Sequence, residues 1–190
     1  MDASAGELDA LLDRIPVLRG VRRTVEELDG GLTNQNLHVI TDDHADDWRR
    51  VQTALAQRAG PTVPCNNDLL AENFIDDGER IWLIDYEYSG NNDACFELGN
   101  TATECDLDVD QVEALTTAYA GRSSRHLVAR VRLQSLVSQY GWSLWGAIQA
   151  SASTLDFDFM AWGQERFDKA ARTFTSPELD RLLDAVVRDD

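Results

Sequence analysis

Asp68, Asn73 and Asp85 are the residues whose types and order best support chemistry in this sequence. They fall in Asn66-Asn67-Asp68-Leu69-Leu70-Ala71-Glu72-Asn73-Phe74 and Ile81-Trp82-Leu83-Ile84-Asp85-Tyr86-Glu87-Tyr88. An aspartate is thus followed five residues on by an asparagine, and then by an aspartate closing an apolar run. A loop carboxylate can orient and deprotonate an attacking hydroxyl. An amide oxygen and a second carboxylate supply the hard oxygen donors that hold Mg2+ against nucleotide phosphates. The chemistry served by such a set is phosphoryl transfer. Asp68 alone carries little weight, because Asp-Asn loops are commonly turns; the ordered set is far more specific.

Two further stretches add to it. Leu28-Asp29-Gly30-Gly31-Leu32-Thr33-Asn34-Gln35-Asn36-Leu37 puts two glycines beside Thr33, Asn34 and Asn36. Glycine lets backbone approach a phosphate, and the three polar side chains can donate hydrogen bonds. By itself such a turn is more often a hairpin; upstream of the aspartates it gains weight. In Tyr140-Gly141-Trp142-Ser143-Leu144-Trp145 the two tryptophans are three apart and share a helix face. Aromatics at that spacing are usually core. Paired indoles facing carboxylates are, however, what a quaternary ammonium needs, since hydrogen bonds cannot satisfy its charge.

With these motifs in place, residues 65–100 resemble the catalytic loop and metal-binding segment of the choline/ethanolamine kinase family, among the aminoglycoside-phosphotransferase-like kinases. The resemblance implies Asp68 as catalytic base, Asn73 and Asp85 as magnesium ligands, and Glu87 close to metal or substrate. Asn66 stands where the family often has His, and can still hold the loop by hydrogen bonding. The Gly30–Asn36 stretch is similar to the family's phosphate-covering loop. The run from Tyr140 to Asp168 resembles its substrate-pocket helices, which implies Trp142, Trp145, Phe157 and Trp162 as cage residues and Glu104 as a carboxylate partner for the amine. ATP and Mg2+ are the implied cofactors and choline or ethanolamine the implied substrate. An aminoglycoside-like acceptor is a weaker reading, because a polyhydroxylated polycation suits an acidic, hydrogen-bonding pocket better than indoles.

The elements that must position these residues follow from periodicity. Leu8, Leu11, Leu12 and Ile15 predict a short helix over residues 5–15; Val21–Leu28 and Leu37–Ile40 predict a hairpin; residues 41–59 predict a polar helix ended by Pro61 and Pro64. Ile81–Ile84 reads as a short buried strand, and from Asp93 onward the pattern is helical. Helices are expected over residues 112–120, 122–152 and 157–174, with a last one opened by Ser176-Pro177. The expectation is an α+β, protein kinase-like fold: a truncated β-hairpin N-terminal lobe over residues 1–60 and a mainly helical lobe over 61–190. Only 23 residues lie between Ile40 and Pro64, too few for the phosphate-binding strand, its partner helix and the adenine hinge. Arg49 and Arg50 fall in a helix, and the sole lysine is Lys169. A catalytically impaired choline-binding remnant is therefore the competing function.

Composition sets the outer bounds. A length of 190 residues, 43% of them hydrophobic, supports a real core. With 34 acidic against 17 basic residues the net charge is −17, which argues against nucleic-acid binding. Cys65, Cys95 and Cys105 cannot all pair and form no CxxC, so neither a disulfide framework nor a zinc site is indicated and a cytoplasmic setting is expected. No signal peptide and no membrane-length apolar run is read. Cys65 is read as packing, and His38, His44 and His126 as isolated residues. Homodimerisation is left open.

Overall fold

The computed structural model describes residues 9–10, 12–13, 19–20, 22–28, 36–41 and 45–188. Of the first expected helix, Asp9, Ala10 and Leu12 are helical. Strands β1 (Arg23–Leu28) and β2 (Asn36–Thr41) form the expected antiparallel hairpin, with Arg23 opposite Thr41 and Leu28 opposite Asn36. Its turn, with Gly30, Gly31, Thr33 and Asn34, lies outside the described residues, as does the side chain of Asn36.

Helix α1 (Ala45–Gln57) follows, and a short set of strands succeeds it: β3 (Val63–Cys65), β4 (Phe74–Asp76), β5 (Ile81–Leu83) and β6 (Gly90–Asn92). β3 pairs antiparallel with β6, and β4 with β5. The first pair brings Cys65 opposite Gly90, so the segment carrying Asp68 leaves one ladder as the segment after Asp85 enters it.

Five helices complete the chain: α2 (Ala94–Glu104), α3 (Val109–Ala120), α4 (Arg125–Ala152), α5 (Phe159–Phe174) and α6 (Pro177–Val187). Each starts on a capping side chain that accepts an otherwise orphaned backbone N–H: Asp93 from Cys95, Asp108 from Gln111, Ser124 from Leu127, Asp158 from Ala161 and Ser176 from Glu178. Pro177 occupies the first turn of α6, where its missing N–H costs nothing.

Helix α4 is the spine. Its Leu133, Leu136 and Tyr140 join Val51 and Ala54 of α1, Ala170 and Phe174 of α5, and Leu179, Leu182 and Val186 of α6 in the main core. Its Val131 packs on Cys95 and Ala102 of α2 and Val112 of α3. Close approach depends on glycine. A Cβ on Gly99 of α2 would lie 2.6 Å from the Ser135 nitrogen of α4, and one on Gly146 of α4 would lie 2.9 Å from the Cα of Gly163 in α5.

The expectation of a buried strand at Ile81–Ile84 is corrected. Ile81 is 67% exposed and Ile84 46%, because β5 pairs only with β4 and no described element covers that hairpin. Burial pushes the thiols of Cys65 and Cys95 up, Cys95 to about 11, which leaves both as packing residues. His126 is half-buried and its Nδ1–H donates to the Val186 carbonyl. Among the described residues no helix is long and apolar enough to cross a membrane.

Candidate functional site

The loop carrying Asp68 is held from below by α2. Glu97 accepts the backbone N–H groups of Asn66 and Asn67, each at 2.8 Å, and Asn100 accepts that of Leu69 at 2.8 Å while donating to Ser138 of α4 at 3.0 Å. Asn66 is buried and bridges the two motifs: its Oδ1 accepts the Asp68 N–H at 3.0 Å and its Nδ2 donates to the Asp85 carbonyl at 2.6 Å. Asn67 donates to the Tyr88 carbonyl at 3.0 Å and accepts from Asn92 at 2.9 Å. Three asparagines thus build a polar network, most of whose bonds fix the loop backbone.

Asn73 is likewise buried; its Nδ2 donates to the Asp68 carbonyl at 2.8 Å, which fixes the orientation of the amide, and its own carbonyl accepts the Ile84 N–H at 3.1 Å. Asn67 and Asp85 both adopt left-handed backbone, at φ 69° and 58°. Asn and Asp tolerate that region better than other side chains, and two such residues beside one loop mark a locally strained segment.

The electrostatics converge on Asp68. Burial pushes its carboxyl up to about 6, and the nearby negative charges of Asp85, Glu104 and Glu87 push in the same direction. Asp85 and Glu87 therefore lie within electrostatic reach of Asp68. Asp85 and Glu87 are exposed and Asp68 is half-buried. Among the described residues no group of three or more carboxylates, histidines and cysteines is arranged to hold a metal by itself. Mg2+ is ordinarily held by one or two carboxylates together with substrate phosphates, so an amide oxygen at Asn73 and a carboxylate at Asp85 fit its chemistry without an all-protein cage.

On the far side stands an aromatic cluster. Trp142 and Trp145 of α4 meet edge-to-face at 5.6 Å, and Trp162 of α5 lies 5.5 Å from Trp145 and 6.5 Å from Trp142. The Gly146–Gly163 approach sets those spacings. Tyr88 joins the two halves of the site. Its ring is 5.6 Å from Trp142, and burial raises its pKa, with Glu87, Asp68 and Asp85 adding to the rise. Phe157 is 55% exposed and touches the cluster only through Phe159, which lies 5.7 Å from Trp145.

Glu104 is placed differently from a free carboxylate partner. Its side chain is 3% exposed and paired with Arg166, whose guanidinium also stacks 3.5 Å over Trp162. A cation of the protein thus already satisfies Glu104 and covers one face of Trp162. Arg49 and Arg50 are also committed, Arg49 to Asp46 and Arg50 to Asp47 and Asp180.

The sequence reading missed Tyr88, Glu97, Asn100 and Arg166. Tyr88 and Glu97 lie inside the quoted 65–100 segment, so their neighbourhood was a signal; nothing local indicated that Arg166 meets Glu104 across 62 residues.

Comparison with known proteins agrees with this geometry. The family model described as choline/ethanolamine kinase matches residues 33–121. The chain is 35% identical over 136 residues to mouse ethanolamine kinase 2, covering 60% of this chain and 35% of that protein. It is 24% identical to rat choline/ethanolamine kinase, covering 64% of this chain and 40% of that one. A choline/ethanolamine kinase family protein from Mesorhizobium loti superposes with a TM-score of 0.71 at 33% identity, over 95% of this chain and 59% of that one. The α+β fold, with its helical lobe and reduced hairpin, is thus that of these proteins, although the chain spans well under half the length of the curated relatives. The segment carrying Asp68, Asn73 and Asp85 lies inside the matched residues, and the chain is similar in sequence and in fold to choline/ethanolamine kinase family proteins.

Proposed function

We propose that this chain is an ATP- and Mg2+-dependent phosphotransferase that phosphorylates the hydroxyl of a small amino alcohol, ethanolamine or choline. One observation carries the reading: Asp68, its carboxyl raised to about 6, feels the charges of Asp85 and Glu87, and all three act on Tyr88, whose ring packs 5.6 Å from Trp142. A base near neutrality, a hard oxygen donor pair and a cation-binding surface are the three parts this transfer needs.

In the proposed reaction the aromatic surface and Glu87 hold the ammonium group, and Asp68 orients the hydroxyl and takes its proton. The acceptor oxygen bonds to the γ-phosphorus as the bond from that phosphorus to the β,γ-bridging oxygen breaks, releasing ADP. Asn73 and Asp85 would hold Mg2+, which when bound neutralises phosphate charge. Gly30, Gly31, Thr33, Asn34 and Asn36 would cover the phosphates. Residues 1–60 then act as a reduced nucleotide lobe and 61–190 as the catalytic lobe, and three free thiols fit a reducing cytoplasm.

A coupled assay of ADP formation tests this. Ethanolamine or choline should drive turnover that chelation of Mg2+ and Asp68→Asn both abolish; no turnover with either amine would refute it for this chain. The second reading, an amine-binding protein without turnover, draws on α1 being the only described element in the chain between β2 and β3, with both its arginines paired within the protein. It predicts quenching of Trp fluorescence by choline and no thermal shift with ATP.

A further inference from the structure

At the opposite end of α4 from the aromatic cluster lies a cavity of about 570 Å3, bounded by the start of α4 and one face of α6. From Arg125 to Trp142 is 17 helical residues, roughly 25 Å along the axis, so this cavity is separate from the site described above. Arg181, Asp184 and Ala185 line it at helical spacing from α6, Arg188 from the residue that caps its end, and Arg125 and His126 from α4. In a chain of net charge −17, three arginines converge here against one lining carboxylate.

Those arginines are lightly engaged. Among the described residues Arg125 makes no hydrogen bond or ion pair, and Arg181 makes only a long 3.4 Å contact from Nε to the Pro177 carbonyl, which leaves its two terminal nitrogens unused. Arg188 meets Asp184 at 3.2 Å in a pair exposed on both sides; such pairs are weak and easily exchanged. His126 donates Nδ1–H to the Val186 carbonyl, which fixes the ring at the edge of the cavity.

From this arrangement we infer a second binding site, for the phosphate of an organic phosphomonoester. Guanidinium groups match phosphate oxygens two at a time, and three of them from two helices can surround a dianion as a single lysine cannot. The cavity is in the range that encloses a small organic molecule and exceeds what bare phosphate fills. The same group is presented by a soluble phosphomonoester and by the headgroup of phosphatidic acid. The inference does not rest on the proposed reaction.

The test uses the full chain in Mg2+-free buffer with two probes: glycerol 3-phosphate, followed by calorimetry, and vesicles of phosphatidylcholine with or without phosphatidic acid, followed by sedimentation. Saturable binding of either probe, weakened at least tenfold in Arg125→Ser/Arg181→Ser and kept in Asp68→Ala, is the expected result. Which probe binds tells the soluble source from the lipid one. Both arginines are exposed, so the double variant should keep its far-UV circular dichroism; Arg125→Lys, which keeps charge but loses the fork, should bind with intermediate affinity. No saturable binding of either probe overturns the inference. So does binding unchanged in the double variant, or binding abolished by Asp68→Ala.

Discussion

Asp68 holds its carboxylate at a cost in stability. Its folded pKa of about 6 lies above the ordinary carboxylate value of 3.8, so the fold binds its proton more tightly than the unfolded chain does. Ionising it therefore costs stability; the cost is full above about 6 and is relieved as pH falls through 6 towards 4. Asp68→Asn removes a charge whose carboxylate accepts no hydrogen bond among the described residues. The variant should gain about 2 kcal/mol in urea unfolding at pH 7.5, while losing roughly 100-fold or more of any turnover. A loss of stability instead would show that the buried charge is compensated. If Asp68 is the base, the rate should fall below about pH 6. Glu87→Gln, by removing one of the negative charges that raise the Asp68 pKa, should move that acid limb about half a unit lower; an unmoved limb would exclude Asp68 as its source.

Between elements, two contacts decide whether the site exists. Asp93 caps α2 through the Cys95 N–H and also accepts from Arg130 and Gln134 of α4, while Arg130 donates to the Leu55 carbonyl of α1 at 2.8 Å. Arg130 is 5% exposed, so Asp93→Ala strands a buried cation and should cost about 3 kcal/mol; Asp93→Asn, which can still cap, should cost less. Gly146→Val drives a side chain into Gly163 and the Trp162 ring. A destabilisation of about 1–3 kcal/mol should accompany a changed Trp emission, since the indoles move apart; unchanged emission would separate the aromatic cluster from the α4–α5 spacing. These contacts also mark what the sequence could tell. The caps Ser176-Pro177 and the Trp142/Trp145 face were legible because they are local. The Gly146–Gly163 and Gly99–Ser135 approaches were not, since a glycine in a helical pattern does not name its partner. Ile81–Leu83 misled for a related reason: an apolar run signals burial only when a second layer exists to cover it, and none among the described residues does.

At the scale of the whole molecule, charge is the dominant imbalance. The motif order made the helical part and the hairpin readable, and α1 is the only described element in the chain between β2 and β3. The net charge of −17 explains a different property. Self-repulsion destabilises a compact state and is screened by salt, with a Debye length of about 30 Å at 0.01 M and about 3 Å at 1 M. Ion pairs oppose this trend, but they divide by exposure. Arg49–Asp46 and Arg188–Asp184 are open to solvent and contribute little at any salt concentration, whereas Arg130–Asp93 and Arg166–Glu104 are sheltered and lose little to screening. Relief of repulsion should therefore win. Raising NaCl from 20 to 500 mM should increase stability by about 1 kcal/mol or more, seen as roughly 2–4 °C in Tm for a chain of this size. Sodium chloride and potassium chloride should act alike, because the effect is one of ionic strength. A Tm that falls with salt would mean that surface ion pairs, rather than net repulsion, set the electrostatic balance of the fold.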